Sequence, residues 1–227
     1  MQTFLVVQAR YQNYEVGLFN ELKCIDYKIH DKKDASKTLI PTIQNLLEKN
    51  SVSFPEIAAI GVNQGPGQFT TLRIIITTVN GIAFATKVPL IGCNSLEALL
   101  QENLDDRWPT TVALLNACNN DVYYALQKEN DQIIYGCINA HILLEKLHQE
   151  NQNIPIRFIG NGVLLAKEFI HELFGTYAHI PEPLIEEASL NQLAKMTFNA
   201  YLQKKEFSTQ LLPIYLKNVN YTTTQLR

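Results

Sequence analysis

The sequence is short of charge, and its few cysteines are scattered. Charged residues make up 18% of the 227 positions, and the formal net charge is -3 at pH 7. Such a balance exerts no strong pull on nucleic acid or anionic lipid. The four cysteines include no C-x-x-C pair, which argues against a zinc ribbon or redox pair and is typical of reduced cytoplasmic thiols: Cys24, Cys93, Cys118 and Cys137.

Signals for export and for membrane insertion are also missing from the sequence. The first residues carry no basic region ahead of an apolar run, so they predict no signal peptide. We also expect no apolar stretch of the length needed to span a bilayer. With 46% hydrophobic residues, the composition predicts a globular cytoplasmic protein.

Residues for catalysis or metal binding are equally hard to find. His141 and His148 share a predicted helix face, but seven residues of helix separate them by about 10 Å, too far for both to bind one metal. The adjacent carboxylates of Glu186 and Glu187 diverge, and no base or nucleophile lies near them in the sequence. We therefore predict no catalytic residue, no metal site and no cofactor.

The hydrophobic periodicity predicts the same order of elements twice. In the first half these are strands 4–7, 14–19 and 22–29, helix 36–50, strand 57–62, helix 70–86, strand 88–92 and helix 95–101. In the second half they are strands 111–115, 122–127 and 133–138, helix 141–150, strand 156–159, a helix ending near 174 and helix 189–202.

This repeat predicts an α/β fold with two related subdomains, each a mixed sheet flanked by helices. The polar segment 102–109 is the predicted boundary. It divides the chain into an N-terminal subdomain, 1–104, and a smaller C-terminal subdomain, 105–227, whose last segment can return to the first. Actin and ribonuclease H have this duplicated organisation.

The turn Gly65-Pro66-Gly67, between a predicted strand and a predicted helix, is the most informative segment. Such a turn exposes backbone N–H groups at the positive end of a helix dipole, so it can hold an anion. No Gly-Lys-Ser/Thr follows, and Thr70 replaces the third glycine of a dinucleotide fingerprint. The alternative is a purely structural turn, in which Gly67 is expected to have a positive φ.

The helix that follows this turn is apolar nearly all the way round, which predicts burial on more than one side. Either the first helix or a partner protein can cover its second side. The candidate interface positions on the two helices are Leu39, Ile43, Leu47, Leu72, Ile75, Val79 and Ile82. Of these, Ile75 and Val79 are predicted to face outward, because they lie four residues apart.

Several segments resemble one family. The ten residues from Gly65 to Ile74 resemble the Gly-Pro-Gly-Ser-Phe-Thr-Gly-Leu-Arg-Ile signature of the TsaB family and of its catalytic relative TsaD. The matching positions singled out as the motif are Gly65, Pro66, Gly67, Phe69, Thr70 and Arg73. Similar segments elsewhere are Leu39-Ile40-Pro41, residues 89–96, Ala117 with Val122-Tyr123-Tyr124, and residues 213–217.

The resemblance implies an actin-like fold and a non-catalytic role. TsaB proteins support TsaD, which transfers a threonylcarbamoyl group to adenosine 37 of tRNA, and an ATPase, TsaE, joins them. The resemblance further implies a possible homodimer through the same two helices, contact with tRNA only through the partner, and no membrane association.

The chain departs from the family pattern at several positions. Gln8-Ala9-Arg10 replaces the usual Asp-Thr-Ser, so the acid that serves magnesium and phosphate in the wider fold is missing. Thr71 and Ile75 replace small residues, and Asn116-Ala117-Cys118 replaces Asp-Ala-Arg. Two alternatives stay open: an actin-fold ATPase or phosphotransferase that uses the glycine turn, and a self-assembling homodimer that has lost the role in tRNA modification.

Overall fold

The structure, a computed structural model, describes residues 2–127, 133–205 and 207–217. Its strands are β1 (Thr3–Ala9), β2 (Asn13–Asn20), β3 (Lys23–Asp31), β4 (Ile57–Gly65), β5 (Leu90–Asn94), β6 (Thr110–Asn116), β7 (Asp121–Gln127), β8 (Ile133–Asn139), β9 (Ile156–Ile159), β10 (Ala178–His179) and β11 (Phe207–Ser208). Its helices are α1 (Ala35–Lys49), α2 (Phe69–Thr86), α3 (Ser95–Glu102), α4 (Ala140–Glu150), α5 (Lys167–Phe174) and α6 (Leu190–Leu202).

Two mixed sheets form the scaffold, in the orders β11-β5-β4-β1-β2-β3 and β10-β9-β6-β7-β8. In the first sheet, β1 is antiparallel to β2 and parallel to β4. In the second, β6 has the same relation to β7 and β9. The predicted α/β fold, with two mixed sheets flanked by helices, is therefore confirmed.

The central strand β1 is apolar on both faces because helices cover both. Leu5 and Val7 point into the core beneath α1 and α2, whereas Phe4 and Val6 point into the core between the two sheets. Successive side chains of a strand alternate between faces, so a continuous apolar run is what a doubly covered strand requires.

The third helix of each half packs between the sheets. α6 lies on β1, β4 and β5 of the first sheet, and α3 lies on β6 and β7 of the second. Glu102, at the end of α3, accepts a hydrogen bond from the backbone N–H of Ser189, which caps α6. The last helix thus returns to the first sheet, where β11 also pairs with β5.

The subdomain limits at 104 and 105 remain a prediction. By its contacts, the segment from α6 onward belongs with the first sheet rather than with the second. The predicted C-terminal subdomain also includes residues 128–132, 206 and 218–227, which lie outside the described residues.

Helix α2 corrects the expectation that no segment is long enough for a bilayer. Within the described residues, this 18-residue helix has the length and composition of a membrane span. The core helix of a soluble protein meets the same test. In the structure six of its 18 residues are buried, with Ile75 and Val79 fully so, whereas Phe69 and Phe84 are exposed.

Candidate functional site

The glycine turn is held open by Gly65 and not by Gly67. Gly65 ends β4 with a φ of 92°, and a Cβ placed there would lie 2.8 Å from Leu72 Cδ2. Gly67 has no positive φ, and nothing lies within 4 Å of the position its Cβ would take. The prediction of a positive φ at Gly67 is therefore wrong: the bend is made one peptide earlier, at the cis bond from Gly65 to Pro66.

The first turn of α2 binds a later segment of the chain. The Arg73 guanidinium lies 3.6 Å from the centre of the Phe69 ring, and its Nε donates to Tyr215 Oη at 2.9 Å. The Phe69 and Tyr215 rings are 6.1 Å apart. Thr70, beside them, is exposed. The two segments that resemble the family most, around Gly65 and around Tyr215, are thus in direct contact.

Residues 211–217 form a strap, and its first part is bonded to the first half of the chain. The Asn80 amide accepts from the Leu211 N–H and donates to its carbonyl, both at 2.9 Å. Gln64 accepts from the Ile214 N–H through its own carbonyl and donates its side-chain amide to the Leu212 carbonyl at 2.7 Å. These bonds fix the strap across the turn between β4 and α2.

The last described residue, Lys217, anchors the strap to the second sheet. Its ammonium lies 2.8 Å from an Asp121 carboxylate oxygen and donates to the Ala117 carbonyl at 3.0 Å. The Asp121 carboxylate raises the pKa of Lys217. The turn that it holds contains three consecutive residues with positive φ, namely Cys118, Asn119 and Asn120.

Two asparagines occupy equivalent places in the two halves of the chain, near the ends of β4 and β9. Asn63, at the end of β4, accepts from the Ala9 N–H at 2.8 Å and donates to the Ala9 carbonyl at 2.9 Å. Asn161, just after β9, accepts from the Asn116 N–H at 2.9 Å. Each side-chain amide therefore continues the hydrogen bonding of a parallel strand pair, β1 with β4 and β6 with β9. The repeat seen in the order of elements thus extends to this hydrogen bond.

Arg10, two residues after Gln8, lies between two carboxylates at the end of β1. Its guanidinium lies 2.8 Å from a Glu15 carboxylate oxygen and 3.4 Å from one of Glu187. Glu187 also accepts from the Tyr11 N–H at 3.1 Å, and the Tyr11 hydroxyl donates to the Asn116 carbonyl at 2.6 Å. A cation between two acids thus joins the first half of the chain to the segment before α6.

Burial dominates the electrostatics of this cluster. Burial raises the pKa of Glu187, and the neighbouring Arg10 only partly offsets that rise. Burial also raises the pKa of Tyr11, and Glu187 adds to the effect. Burial lowers the pKa of Arg10, but the two glutamates outweigh it, so the pKa rises and the guanidinium stays charged.

The cavity beside Glu187, at the ends of β1 and β4, is small. The cavity bounded by Gln8, Asn63, Ser95 and Glu187 measures about 10 Å³, roughly the 10–15 Å³ that one water molecule needs. Larger cavities lie elsewhere, including one of about 410 Å³ between the C-terminal ends of α4 and α5. Within the described ranges, no group of three His, Cys, Asp or Glu side chains has a metal-binding arrangement.

Most of the predicted interface positions lie inside the protein. The six positions that are no more than 4% exposed pack in the core between the sheet and the two helices: Leu39, Ile43, Leu47, Leu72, Ile75 and Val79. The seventh, Ile82, packs against the same core from its edge. The prediction that Ile75 and Val79 face outward is therefore wrong, because α1 and α2 lie side by side and both turn their apolar stripe to the sheet.

The outward face of these helices carries other residues. Phe84, near the end of α2, is 77% exposed, and Ile40, in α1, is 60% exposed. The Lys87 ammonium lies 4.6 Å from the Phe84 ring centre. Gly81 lies on the same outer side, with nothing within 4 Å of the position its Cβ would take. The sequence could have predicted this exposure, because these residues fall between the regularly spaced buried positions of the two helices.

Sequence reasoning also missed four contacts. The pairing of Arg10 with Glu187 and the strap at Lys217 join distant parts of the chain, which no local pattern reports. The two histidines of α4 contact aromatic rings of α5: the His141 and Phe169 rings stack with centres 4.2 Å apart, and His148 lies edge-on to Phe174 at 5.3 Å.

Comparison with known proteins gives consistent matches. A family model described as TsaD, tRNA N6-adenosine threonylcarbamoyltransferase, matches residues 30–224. The chain is 22% identical to the tRNA threonylcarbamoyladenosine biosynthesis protein TsaB of Buchnera aphidicola, over 95% of this chain and 98% of that one. It is 25% identical to the Haemophilus influenzae protein of the same name, over 81% of this chain and 80% of that one.

Solved structures show the same fold. YeaZ from Pseudomonas aeruginosa superposes with a TM-score of 0.68 at 21% identity, covering 95% of this chain and all of that one. A second Pseudomonas aeruginosa structure, titled as similar to the peptidase YeaZ, gives a TM-score of 0.74 at 20% identity, covering 96% of this chain and all of that one. With the glycine turn and the strap in place, these matches show that the chain belongs to the TsaD-like family, as a member of its TsaB group.

Proposed function

We propose that this chain is a non-catalytic cytoplasmic subunit that binds a TsaD-type catalytic subunit. Its relatives named TsaB are biosynthesis proteins for threonylcarbamoyladenosine in tRNA, and the chain is assigned to that process. The observation that carries the finer proposal is the exposed apolar face of α1 and α2, on which Phe84 and Ile40 are 77% and 60% exposed.

A facing pair of helices is the partner that this surface suits. Gly81, with open space around it, lets a second helix approach closely, and packed helices lie about 8–10 Å apart. Burying side chains of this size contributes roughly 1.5–3 kcal/mol each before the costs of association. A TsaE-type ATPase would join the resulting complex, and tRNA would meet this subunit only through the partner.

The cleft supports the non-catalytic part of the proposal. Gln8 stands where an acid would serve a nucleotide, Arg10 is bound between two glutamates, and the cavity lined by Gln8 and Glu187 measures about 10 Å³. Purified alone, the chain is therefore expected to hydrolyse no ATP, transfer no phosphoryl group and cleave no peptide. Turnover that stays with the chain through purification and changes with Arg10→Ala would contradict this.

Capture of the cognate TsaD tests the interface. Phe84→Asp with Ile40→Asp should fold like the parent and lose TsaD, because both changes lie on the exposed face. Leu164→Asp, at a position 61% exposed in the second half, is the matched control and should retain TsaD. Ile75→Asp should unfold the protein, since this side chain is fully buried.

The same capture experiment distinguishes the homodimer alternative. If the double variant of the helix face still captures TsaD as well as the parent does, the proposed interface is wrong. If no variant, and not even the parent, binds TsaD, the chain has lost the role in tRNA modification.

A further inference from the structure

The two buried carboxylates at the end of β1 share a single guanidinium. Glu15 and Glu187 lie 2.8 and 3.4 Å from Arg10, and their side chains are only 7% and 12% exposed. The nearby Lys32 ammonium donates to the Tyr11 carbonyl at 2.5 Å, and in the described part of the chain it forms no ion pair with either carboxylate. One positive and two negative charges leave this cluster one positive charge short.

The side chain of Gln8 adds a further oxygen to this electron-rich place. Gln8 is 3% exposed and lies directly opposite Glu15 in the pairing of β1 with β2, so the two side chains are neighbours on one face of the sheet. Its Nε2 donates to the Ala188 carbonyl at 2.9 Å, whereas its buried Oε1 has no donor within the described ranges. Buried polar atoms almost always have a partner, so this oxygen calls for an electropositive one.

The cavity beside Gln8 has the volume of one small ion. It measures about 10 Å³, and its lining includes Gln8, Ser95 and Glu187. A water molecule needs roughly 10–15 Å³, and Na⁺ and K⁺ are no larger than water. The three side chains supply an amide, a hydroxyl and a carboxylate oxygen, and oxygen is the ligand that hard cations prefer. Ser95 Oγ accepts a hydrogen bond from Asn63 Nδ2 at 3.3 Å, which leaves it a second lone pair.

We propose that this cavity binds one alkali cation, Na⁺ or K⁺, through Gln8 Oε1, Ser95 Oγ and a Glu187 carboxylate oxygen. The ion supplies the single positive charge that the cluster lacks, and it gives the Gln8 oxygen its partner. It also connects three separate segments: the end of β1, the start of α3 and the segment before α6. A divalent ion would overcompensate the charge.

A water molecule and a proton are the competing occupants. Water gives Gln8 Oε1 a donor but leaves the charge of the two carboxylates unbalanced. A proton on Glu187 balances the charge but fills none of the cavity. Burial raises the pKa of Glu187, Arg10 only partly offsets this rise, and Glu15 adds to it, in keeping with the missing charge. Only the alkali cation makes stability depend on which salt is present.

Thermal unfolding in different salts tests the site. Tm is measured at neutral pH in KCl, in NaCl and in choline chloride of the same ionic strength, because choline is too large for the cavity. A cation present at about five times its Kd should raise Tm by roughly 2–4 °C for a chain of this size. Equal Tm values in all three salts would overturn the proposal.

Two glutamine variants locate the effect. Glu187→Gln preserves the shape of the side chain and removes its charge, so the Tm difference between the alkali salt and choline chloride should disappear. Glu186→Gln, at the exposed neighbouring position, is the matched control and should retain the difference. Each variant is compared with itself in two salts, so a loss of stability does not affect the result. A difference that survives Glu187→Gln, or is lost with Glu186→Gln, places the ion elsewhere and overturns the site.

Crystals soaked in thallium(I), which mimics K⁺, provide a direct test. An anomalous peak is expected in the cavity of the parent and not in that of Gln8→Met, which removes one ligand and keeps the volume. This variant also replaces Glu187→Gln in the salt comparison if that protein does not fold. A parent cavity without an anomalous peak, or with the density of water alone, would contradict the proposal.

Discussion

The turns after β4 and β9 occupy equivalent places in the two halves, yet they are held differently. Both contain a glycine with positive φ, Gly65 at 92° and Gly160 at 99°. A Cβ on Gly65 would lie 2.8 Å from the end of the Leu72 side chain, and the nearest backbone atom, the Gly67 nitrogen, is 3.4 Å away. A Cβ on Gly160 would lie 1.9 Å from the carbonyl oxygen of Leu114.

The difference follows from what each turn leads into. The first turn leads into the 18-residue helix α2, which has an exposed face. The strap, residues 211–217, crosses this turn on its outer side. The second begins with a short 3-10 turn, pressed against β6, and donates from Gly160 and Asn161 to the carbonyls of Ile185 and Glu186. The first turn thus leads into a helix with an exposed outer face, and the second turn forms the tighter junction.

The largest effect is expected for Gly160→Ala. The new methyl group overlaps the Leu114 carbonyl, which is backbone and cannot rotate away, and the positive φ adds roughly 1–3 kcal/mol. The variant should fail to accumulate as folded protein, as measured by soluble yield and circular dichroism. A normal melting curve would show that the two turns are equally permissive.

Gly65→Ala should cost less, and Gly67→Ala should cost almost nothing. At Gly65 the Leu72 methyl can move, which leaves the backbone strain of about 1–2 kcal/mol. That loss lowers Tm by roughly 2–8 °C for a chain of this size. Gly67 has no positive φ and open space, so its variant should melt within about 0.5 kcal/mol of the parent. Equal losses at the two glycines would contradict the assigned bend.

The paired asparagines give a smaller contrast. Asn63 bonds to both backbone groups of Ala9 and to Ser95 Oγ, whereas Asn161 has a buried Nδ2 without a partner in the described part of the chain. At about 0.5–1.5 kcal/mol per bond, the two extra bonds mean that Asn63→Ala should lose about 1–3 kcal/mol more than Asn161→Ala in urea unfolding. The reverse order would mean that the second junction depends more on its amide.

The smallest effect is the pH dependence that Glu187 contributes. Its folded pKa is raised above the ordinary 4.5, so between these values the folded state binds more protons than the unfolded state. Stability from this group is therefore fully present below pH 4.5 and falls as the pH rises through the folded pKa. The free energy of unfolding of the parent minus that of Glu187→Gln should decrease over this window. A difference that grows with pH would mean that Arg10 outweighs burial.

The local sequence pattern predicted most of the strands and helices. It failed where the orientation of a side chain or the conformation of a turn depended on residues distant in the sequence. The apolar spacing of α1 and α2 located both helices, but it could not say which stripe faced the sheet. Gly65 and Gly67 flank one proline, and only the structure distinguishes them, by the positive φ of Gly65 and the approach of Leu72. Tyr11 and Glu187 are 176 residues apart. The sequence shows two adjacent glutamates, Glu186 and Glu187, and no local pattern indicates that Glu187 is the one that bonds to Tyr11.

The return of α6 to the first sheet has a consequence for synthesis of the chain on the ribosome. Phe4 and Val6 are buried beneath a helix that begins at Leu190. At about 5–20 residues per second, the interval between the end of α3 and the end of α6 is on the order of 5–20 s. During that time one face of the first sheet is an uncovered apolar surface, which a chaperone can hold until the last helix arrives.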